Sequence, residues 1–290
     1  MKHTSIFLFA VVAAICSCSK DIIDRTAEDS GNLSITALGT KTVLDGTSVN
    51  WTSNDVLVVF DNENTGVNFT TTADKTSYAT FTTSNWTGKT PVYASCSQAG
   101  ADAACSSGIL TVKLDPAQVV KDKSTYAENA SASVGIVSGN VGEYTISEMK
   151  NVQGLIRFSL KTGFVGSISV EAVNGEAIAG FVDVDYSKIA GGESAFWTAT
   201  PGKKQSSTIT LTPDGNAAKD GLFDAGVYYV SVLPQTYAKG LRFVVMDKGG
   251  DTLCSRTVGS ETGLSIARSK IVKLDGNLDN IDTLPETISL

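Results

Sequence analysis

Leu33-Ser-Ile-Thr-Ala-Leu38 alternates apolar and polar residues with a period of two, which is the pattern of a β-strand with one face against a core. Val56-Leu-Val-Val-Phe60 is instead a continuous apolar run, short enough to be a strand that is buried on both faces. Turn-forming residues bound both runs. The two segments predict that the body of this chain is built from β-strands.

Segments with the same strand-like pattern recur through the rest of the chain: 67–71, 78–83, 92–95, 109–114, 134–137, 143–146, 155–160, 167–173, 178–184, 208–212, 227–233, 241–247, 252–258 and 270–274. The pair 134–137 and 143–146 predicts a short hairpin around Gly139-Asn140. No window has the periodicity of a long amphipathic helix. Roughly seven strands on each side of Met149 predict an all-β protein with an N-terminal β-sandwich at 32–148 and a C-terminal one at 149–278. A tail at 279–290 follows.

The first residues have the features of an export signal. Lys2 is basic, and the apolar stretch Ile6 to Ala14 is too short to span a bilayer. Ile15-Cys16-Ser17-Cys18 resembles a bacterial lipobox, in which a small residue precedes the cysteine that is acylated. Cys18 fits that role, whereas bulky Ile15 precedes Cys16. We predict a lipoprotein signal peptide at 1–17 and a lipidated tether at 18–31; the alternative is a plain signal peptide with two incidental cysteines.

Composition argues against most catalytic chemistry. The only histidine among the 290 residues is His3, inside the predicted signal, so the mature chain lacks the base of a Ser-His-Asp triad and the imidazole of common metal sites. No phosphate-binding glycine loop occurs. Asp183 and Asp185 could form a glycosidase pair or end a solvated strand. We therefore predict no enzyme activity, no catalytic residues, no metal and no cofactor.

The net charge of −7 argues against nucleic acid as a partner. Among the remaining candidates, Cys96 and Cys105 lie nine residues apart in a stretch of small residues. In an oxidising envelope they could form a disulfide worth about 2–3 kcal/mol, or remain thiols. Cys254 fits a buried strand position. The three tryptophans either stack on a sugar or pack in the core: Trp51, Trp86 and Trp197.

Several motifs resemble the fimbrillin-like lipoproteins of Gram-negative anaerobes. Those of the first half are Thr40-Lys41-Thr42-Val43-Leu44-Asp45-Gly46, Val49-Asn50-Trp51 and Asn54-Asp55-Val56-Leu57-Val58-Val59-Phe60. Asn54 stands where the family usually has Gly, and Asn tolerates a left-handed backbone. Those of the second half are Asn151-Val152-Gln153-Gly154-Leu155-Ile156-Arg157-Phe158, Tyr228-Tyr229-Val230-Ser231-Val232-Leu233-Pro234 with Gly240-Leu241-Arg242-Phe243, and Arg268-Ser269-Lys270-Ile271-Val272-Lys273-Leu274.

The resemblance implies two tandem transthyretin-like, Greek-key β-sandwiches in a pilin or pilus-associated lipoprotein of the outer membrane. In that family an Arg- or Lys-specific protease cuts after the first strand, and an extended segment of another subunit fills the groove. Here the lost strand would be 33–38 and the cut would follow Lys41. Lys41 is equally an ordinary turn lysine. Arg25 is the alternative processing site, although a cut there releases only the tether.

The implied partners are other pilus subunits or copies of this chain, together with the outer membrane through the lipid anchor. The tail 279–290 is a candidate donor segment. Lys20-Asp21 resembles the charged export tag of surface-exposed lipoproteins, or is a polar linker. The alternative function is an outer-membrane lipoprotein that binds a glycan or host ligand through exposed aromatic residues and does not polymerise.

Overall fold

The computed structural model describes residues 31–38, 43–45, 48–53 and 55–279. The strands of the first half are β1 (Gly31–Leu38), β2 (Val43–Asp45), β3 (Ser48–Asn50), β4 (Val56–Asp61), β5 (Gly66–Thr70), β6 (Tyr78–Trp86), β7 (Pro91–Cys96), β8 (Ala104–Ser106), β9 (Ile109–Leu114), β10 (Ala117–Val120), β11 (Ser133–Ile136), β12 (Tyr144–Ile146) and β13 (Lys150–Asn151). The prediction of an all-β protein is confirmed.

The strands of the second half are β14 (Gly154–Leu160), β15 (Ser167–Ala172), β16 (Ala179–Asp185), β17 (Trp197–Ala199), β18 (Gln205–Ser206), β19 (Thr208–Pro213), β20 (Ala218–Lys219), β21 (Leu222–Phe223), β22 (Gly226–Val232), β23 (Thr236–Tyr237), β24 (Leu241–Met246), β25 (Thr252–Val258), β26 (Leu264–Ser265) and β27 (Ile271–Asn277). Within the described ranges the only α-helix is α1 (Tyr186–Gly191). No helix in these ranges has the length and apolar character needed to cross a membrane.

In the described part of the chain, eight strands form one sheet in the order β12-β1-β6-β5-β4-β7-β11-β13. Ser138, which follows β11, and Thr145 of β12 exchange backbone hydrogen bonds of 2.9 and 2.8 Å. The sheet is therefore curved enough to bring β12, at one end, close to the chain that follows β11, near the other end. Of the hairpin predicted around Gly139-Asn140, only this single bridge forms. The prediction of a hairpin ladder was wrong, since β11 pairs with β7 and β13 while β12 pairs with β1.

The second half contributes a five-stranded sheet, β10-β19-β15-β24-β25, and a three-stranded sheet, β22-β14-β27. Phe158 of β14 lies with its ring centroid 6.4 Å from that of Phe243 on β24, so side chains from both sheets meet in one core. A further sheet joins β8 and β9 to β16 and β17.

Strand pairing crosses the predicted boundary between residues 148 and 149. In β9, Leu110 pairs with Val184, and in β10, Ala117 pairs with Thr210. The strands β9 and β10 are therefore hydrogen-bonded to strands of the second half. Alternating apolar residues reveal which face of a strand is buried, but they carry no information on which strand lies beside it.

Two hydrophobic clusters lie on opposite faces of β4. Leu57 and Val59 belong to a smaller cluster, whereas Phe60 belongs to a larger one. The prediction that the apolar run of β4 is buried on both faces is confirmed for these residues. The smaller cluster consists of Ile35, Ala37, Trp51, Leu57, Val59, Phe69, Ala79, Phe81, Trp86, Ala94, Cys96, Val137, Tyr144, Ile146 and Met149.

Candidate functional site

The strand β1 lies between two neighbours, and we call the space that it fills the β1 slot. On one side β1 runs antiparallel to β6, from Gly31 opposite Trp86 to Leu38 opposite Tyr78. On the other side it runs parallel to β12 over Ile35–Ala37. Both neighbours would have unpaired backbone groups if β1 were removed.

Side chains of β1 alternate between the smaller cluster and the surface, as the sequence predicted. Ile35 and Ala37 are fully buried, and Leu33 is half-buried against the same cluster. Phe81, directly opposite Ile35, has its ring centroid 4.9 Å from that of Trp51 in an edge-to-face contact. The β1 slot is thus lined by packed aromatic and aliphatic side chains that β1 shields from water.

The N-terminal half of β1 is paired on one side only. Leu33 and Ser34 pair with β6 but lie before the segment that pairs with β12, which begins at Ile35. Beside them is an open groove of about 750 Å³. Most of the residues that line it are of polar type, although apolar atoms contribute much of its surface: Asn32, Leu33, Ser34, Asn68, Thr70, Thr82, Thr83, Ser84, Asn85, Trp86, Lys89, Val141, Gly142 and Tyr144. The β1 slot is therefore partly open to solvent even when β1 fills it.

One edge of the second half is closed by a side chain. Gln118 lies beside β22 and is fully buried. Its Nε2 donates to the carbonyl oxygen of Ser231 at 2.7 Å, and its Oε1 accepts from the Ser231 N–H at 3.1 Å. The Gln118 side-chain amide takes the place of a neighbouring strand beside Ser231, so the backbone N–H and C=O of Ser231 both have hydrogen-bond partners.

A second edge, that of β27, is interrupted by a bulge. Arg157 pairs with Lys273 and Ser159 with Asn277, so β27 has two extra residues over this interval. Gly276 takes a positive φ of 72° there, and Arg256 Nη1 donates to the Asp275 carbonyl oxygen at 2.6 Å. Bulges and charged side chains are common devices against unwanted strand pairing.

Several predicted sites lie outside the described residues, so the structure says nothing of them: Cys18, Arg25, Lys41 and the tail from residue 280 onward. Cys96 and Cys105 are not disulfide-bonded in the structure. Cys96 belongs to the smaller cluster and Cys105 to the larger one, and burial raises the pKa of the Cys105 thiol. Cys254 is buried, as predicted.

The two strand carboxylates serve different neighbours. Asp183 Oδ1 accepts from the hydroxyls of Thr111 at 2.7 Å and Thr200 at 2.8 Å. Asp185 caps α1 by accepting from Ser187 and Lys188, and the Ser187 hydroxyl bond lowers the pKa of its carboxyl. Each has the contacts of a structural residue, and no cluster suited to a metal ion occurs among the described residues.

The tryptophans differ in exposure. Trp51 is fully buried and Trp86 is 5% exposed, so neither offers a ring face to a ligand. Trp197 alone is half-buried. Sequence reasoning missed both the pairing of β12 with β1 and the role of Gln118, because each joins segments far apart in the chain. No strand was predicted at β10, so no local signal in the sequence pointed to the second feature.

Comparisons with known proteins give structural neighbours only. No protein-family model matches the chain, and no curated protein matches it. Three solved structures, each provisionally described as a cell adhesion protein, are similar to it. That from Bacteroides ovatus has 11% identity and a TM-score of 0.43, covering 84% of this chain and 92% of its own.

The structure from Bacteroides eggerthii has 14% identity and a TM-score of 0.32, covering 86% of this chain and 88% of its own. The third, from Bacteroides fragilis, has 12% identity and a TM-score of 0.39, with coverage of 84% and 91%. Similarity at this level assigns neither a family nor a function to the chain.

Proposed function

We propose that this protein is a fimbrillin-like surface lipoprotein, a structural or accessory subunit of an adhesive pilus, that accepts a strand from another subunit in the β1 slot. The observation that carries the proposal is the double pairing of β1 with β6 and β12, together with the complete burial of Ile35 and Ala37. The motifs that resemble fimbrillin-like lipoproteins support the same function.

Loss of β1 would create a site that only an extended chain fills. The exposed edge of β6 would have unpaired N–H and C=O groups, and Phe81 and Ile146 of the smaller cluster would meet water. An incoming strand would pair the free backbone groups of β6 through main-chain hydrogen bonds and would cover the exposed apolar residues with every second side chain. When donor and acceptor surfaces lie at different places on one subunit, repeated addition produces a filament.

The position of Lys41 couples release of the strand to release of the anchor. Lys41 lies between the strands β1 and β2 in sequence, so a cut there separates β1 and everything before it from the body of the protein. That segment includes the proposed lipid-bearing Cys18. One cleavage would therefore detach the body from its acyl anchor and make the β1 slot available. A cut after Arg25 would detach the anchor alone.

The test is limited digestion of the lipidated full chain with trypsin, followed by N-terminal sequencing and gels run without boiling. We expect a new N-terminus at Thr42 and a ladder of multimers, both abolished by Lys41→Gln. Arg25→Gln is the matched control and should leave the ladder intact. Cleavage after Lys41 that yields only monomers would overturn the proposal, as would an undiminished ladder in Lys41→Gln.

A further inference from the structure

A second cleft lies away from the β1 slot, and we call it the Trp197 cleft. It has a volume of about 700 Å³. Its walls come from the chain after α1, the start of β17 and the segments around β23 and β26. A volume of this size lies within the range of roughly 300–1,000 Å³ that is typical of small-ligand sites.

The indole of Trp197 is held in place on one wall of the cleft. Its Nε1 donates to the carbonyl oxygen of Pro234 at 3.0 Å, and its backbone pairs with Val184 in the neighbouring strand. The side chain remains half-buried, so part of the ring is accessible. An anchored aromatic ring loses little conformational entropy when a ligand stacks on it.

Arg268 also lines the cleft and is held from two sides. Its guanidinium lies 6.0 Å from the ring centroid of the buried Phe196, and its Nη1 donates to the Asn151 carbonyl oxygen at 3.3 Å. Among the described residues, no acceptor bonds its Nε or Nη2. Stacking on Phe196 therefore fixes the guanidinium of Arg268 in a position where its Nε and Nη2 can donate to a ligand.

Acceptor groups complete the lining. The exposed carboxylate of Glu193 lies on the wall that follows α1. On another wall the hydroxyl oxygens of Thr236 and Ser265 lie 2.8 Å apart, and each hydroxyl has further hydrogen-bonding capacity. The cleft therefore combines one accessible aromatic ring with donors, acceptors and hydroxyls around it.

We propose that the Trp197 cleft binds a short stretch of neutral carbohydrate. The C–H face of a pyranose ring is apolar and suits an indole, whereas its hydroxyls need both donors and acceptors around the rim. A purely apolar ligand would desolvate the remaining donors of Arg268 without offering them an acceptor. The carboxylate of Glu193 and the net charge of −7 favour a neutral sugar over an acidic one.

The probes are neutral trisaccharides of glucose, mannose and xylose. Their binding to the full chain is measured by saturation-transfer NMR and by tryptophan fluorescence. We expect saturable binding of at least one of them. Trp197→Ala should weaken it tenfold or more, and Trp197→Phe should retain part of it. Glu193→Gln changes an exposed side chain, so it should fold normally and weaken binding severalfold. Phe164→Ala, at an aromatic residue that is 69% exposed elsewhere, is the control and should bind like the parent.

The proposal is overturned if none of the trisaccharides binds at millimolar concentration. It is also overturned if Trp197→Ala and Glu193→Gln bind as the parent does, or if acidic sugars or peptides bind in place of neutral sugars. The result is independent of strand exchange: Lys41→Gln should bind sugar normally, and Trp197→Ala should still form the trypsin-induced ladder.

Discussion

Ile35 lies directly opposite Phe81 across the antiparallel pair of β1 and β6, and both side chains are fully buried. Neither residue lies near the other in sequence. The pair joins the strand that we propose to be exchangeable to the centre of the smaller cluster. The strength of this contact therefore determines how well β1 protects the slot before processing.

Replacing Ile35 should destabilise the unprocessed protein. Ile35→Ala removes buried methyl and methylene groups and leaves a cavity against Phe81, so the free energy of unfolding should fall by about 2–4 kcal/mol. Urea unfolding measures the change. Ser34→Ala, on the exposed side of the same strand, is the control and should change stability by less than about 0.5 kcal/mol. Equal effects of the two substitutions would show that β1 contributes no core packing.

A peptide with the sequence of β1 should block assembly. After cleavage at Lys41, an excess of the peptide of residues 31–38 competes for the β1 slot, so the gel ladder should shorten to monomers. The same peptide with Ile35→Asp places a charge where the slot is apolar and should leave the ladder unchanged. Inhibition by both peptides would mean that binding in the β1 slot does not depend on the apolar side chain at position 35, which would contradict the prediction.

Gln118 should contribute to the stability of the fold although its side chain is polar. Gln118→Ala leaves the buried N–H and C=O of Ser231 without their partner, and each unsatisfied group costs about 1–3 kcal/mol. We expect a lower free energy of unfolding in urea. Asn216→Ala removes an exposed amide that bonds Asp122 and is the matched control, with a change near zero. A Gln118→Ala protein as stable as the control would contradict the edge-closing role.

Stability should decrease at high pH. Burial raises the pKa of Tyr228 to about 12 and raises the pKa values of Tyr126 and Tyr237 as well. In the unfolded chain these phenols ionise near pH 10. Since only the unfolded state releases these protons between about pH 10 and 12, stability is complete below that window and falls as the pH rises through it.

Urea unfolding at pH 9, 10 and 11 measures this decline. Tyr228→Phe should make it shallower, because one buried phenol no longer titrates. Tyr78 is 62% exposed, and Tyr78→Phe should leave the decline as it is. A decline of the same slope in both variants would rule out Tyr228 as a source of the pH dependence.

Cys18 should determine membrane association. If Cys18 carries the acyl chains, Cys18→Ala leaves the protein without an anchor and moves it from the membrane pellet to the soluble fraction, since buried acyl chains supply about 0.8 kcal/mol per CH₂. Cys16→Ala should stay in the pellet. Palmitate labelling of cells followed by fractionation measures both. Labelled, pelleted Cys18→Ala protein would contradict the assignment.

The all-β class and most strand positions follow from the local pattern of residues. The alternation at Leu33–Leu38 placed the buried face of β1, and the continuous run at Val56–Phe60 predicted a strand between two cores. These predictions succeed because burial of a strand depends on residues two apart, which a sequence displays directly.

Which strands become neighbours depends on long-range packing. The pairing of β1 with β12, the crossing of β9 and β10 to the second half, and the bond of Gln118 to Ser231 all join distant segments. Every residue except proline has the same backbone N–H and C=O groups, so local sequence does not specify a partner. The β1 slot exists because packing brings β6 and β12 to either side of one strand.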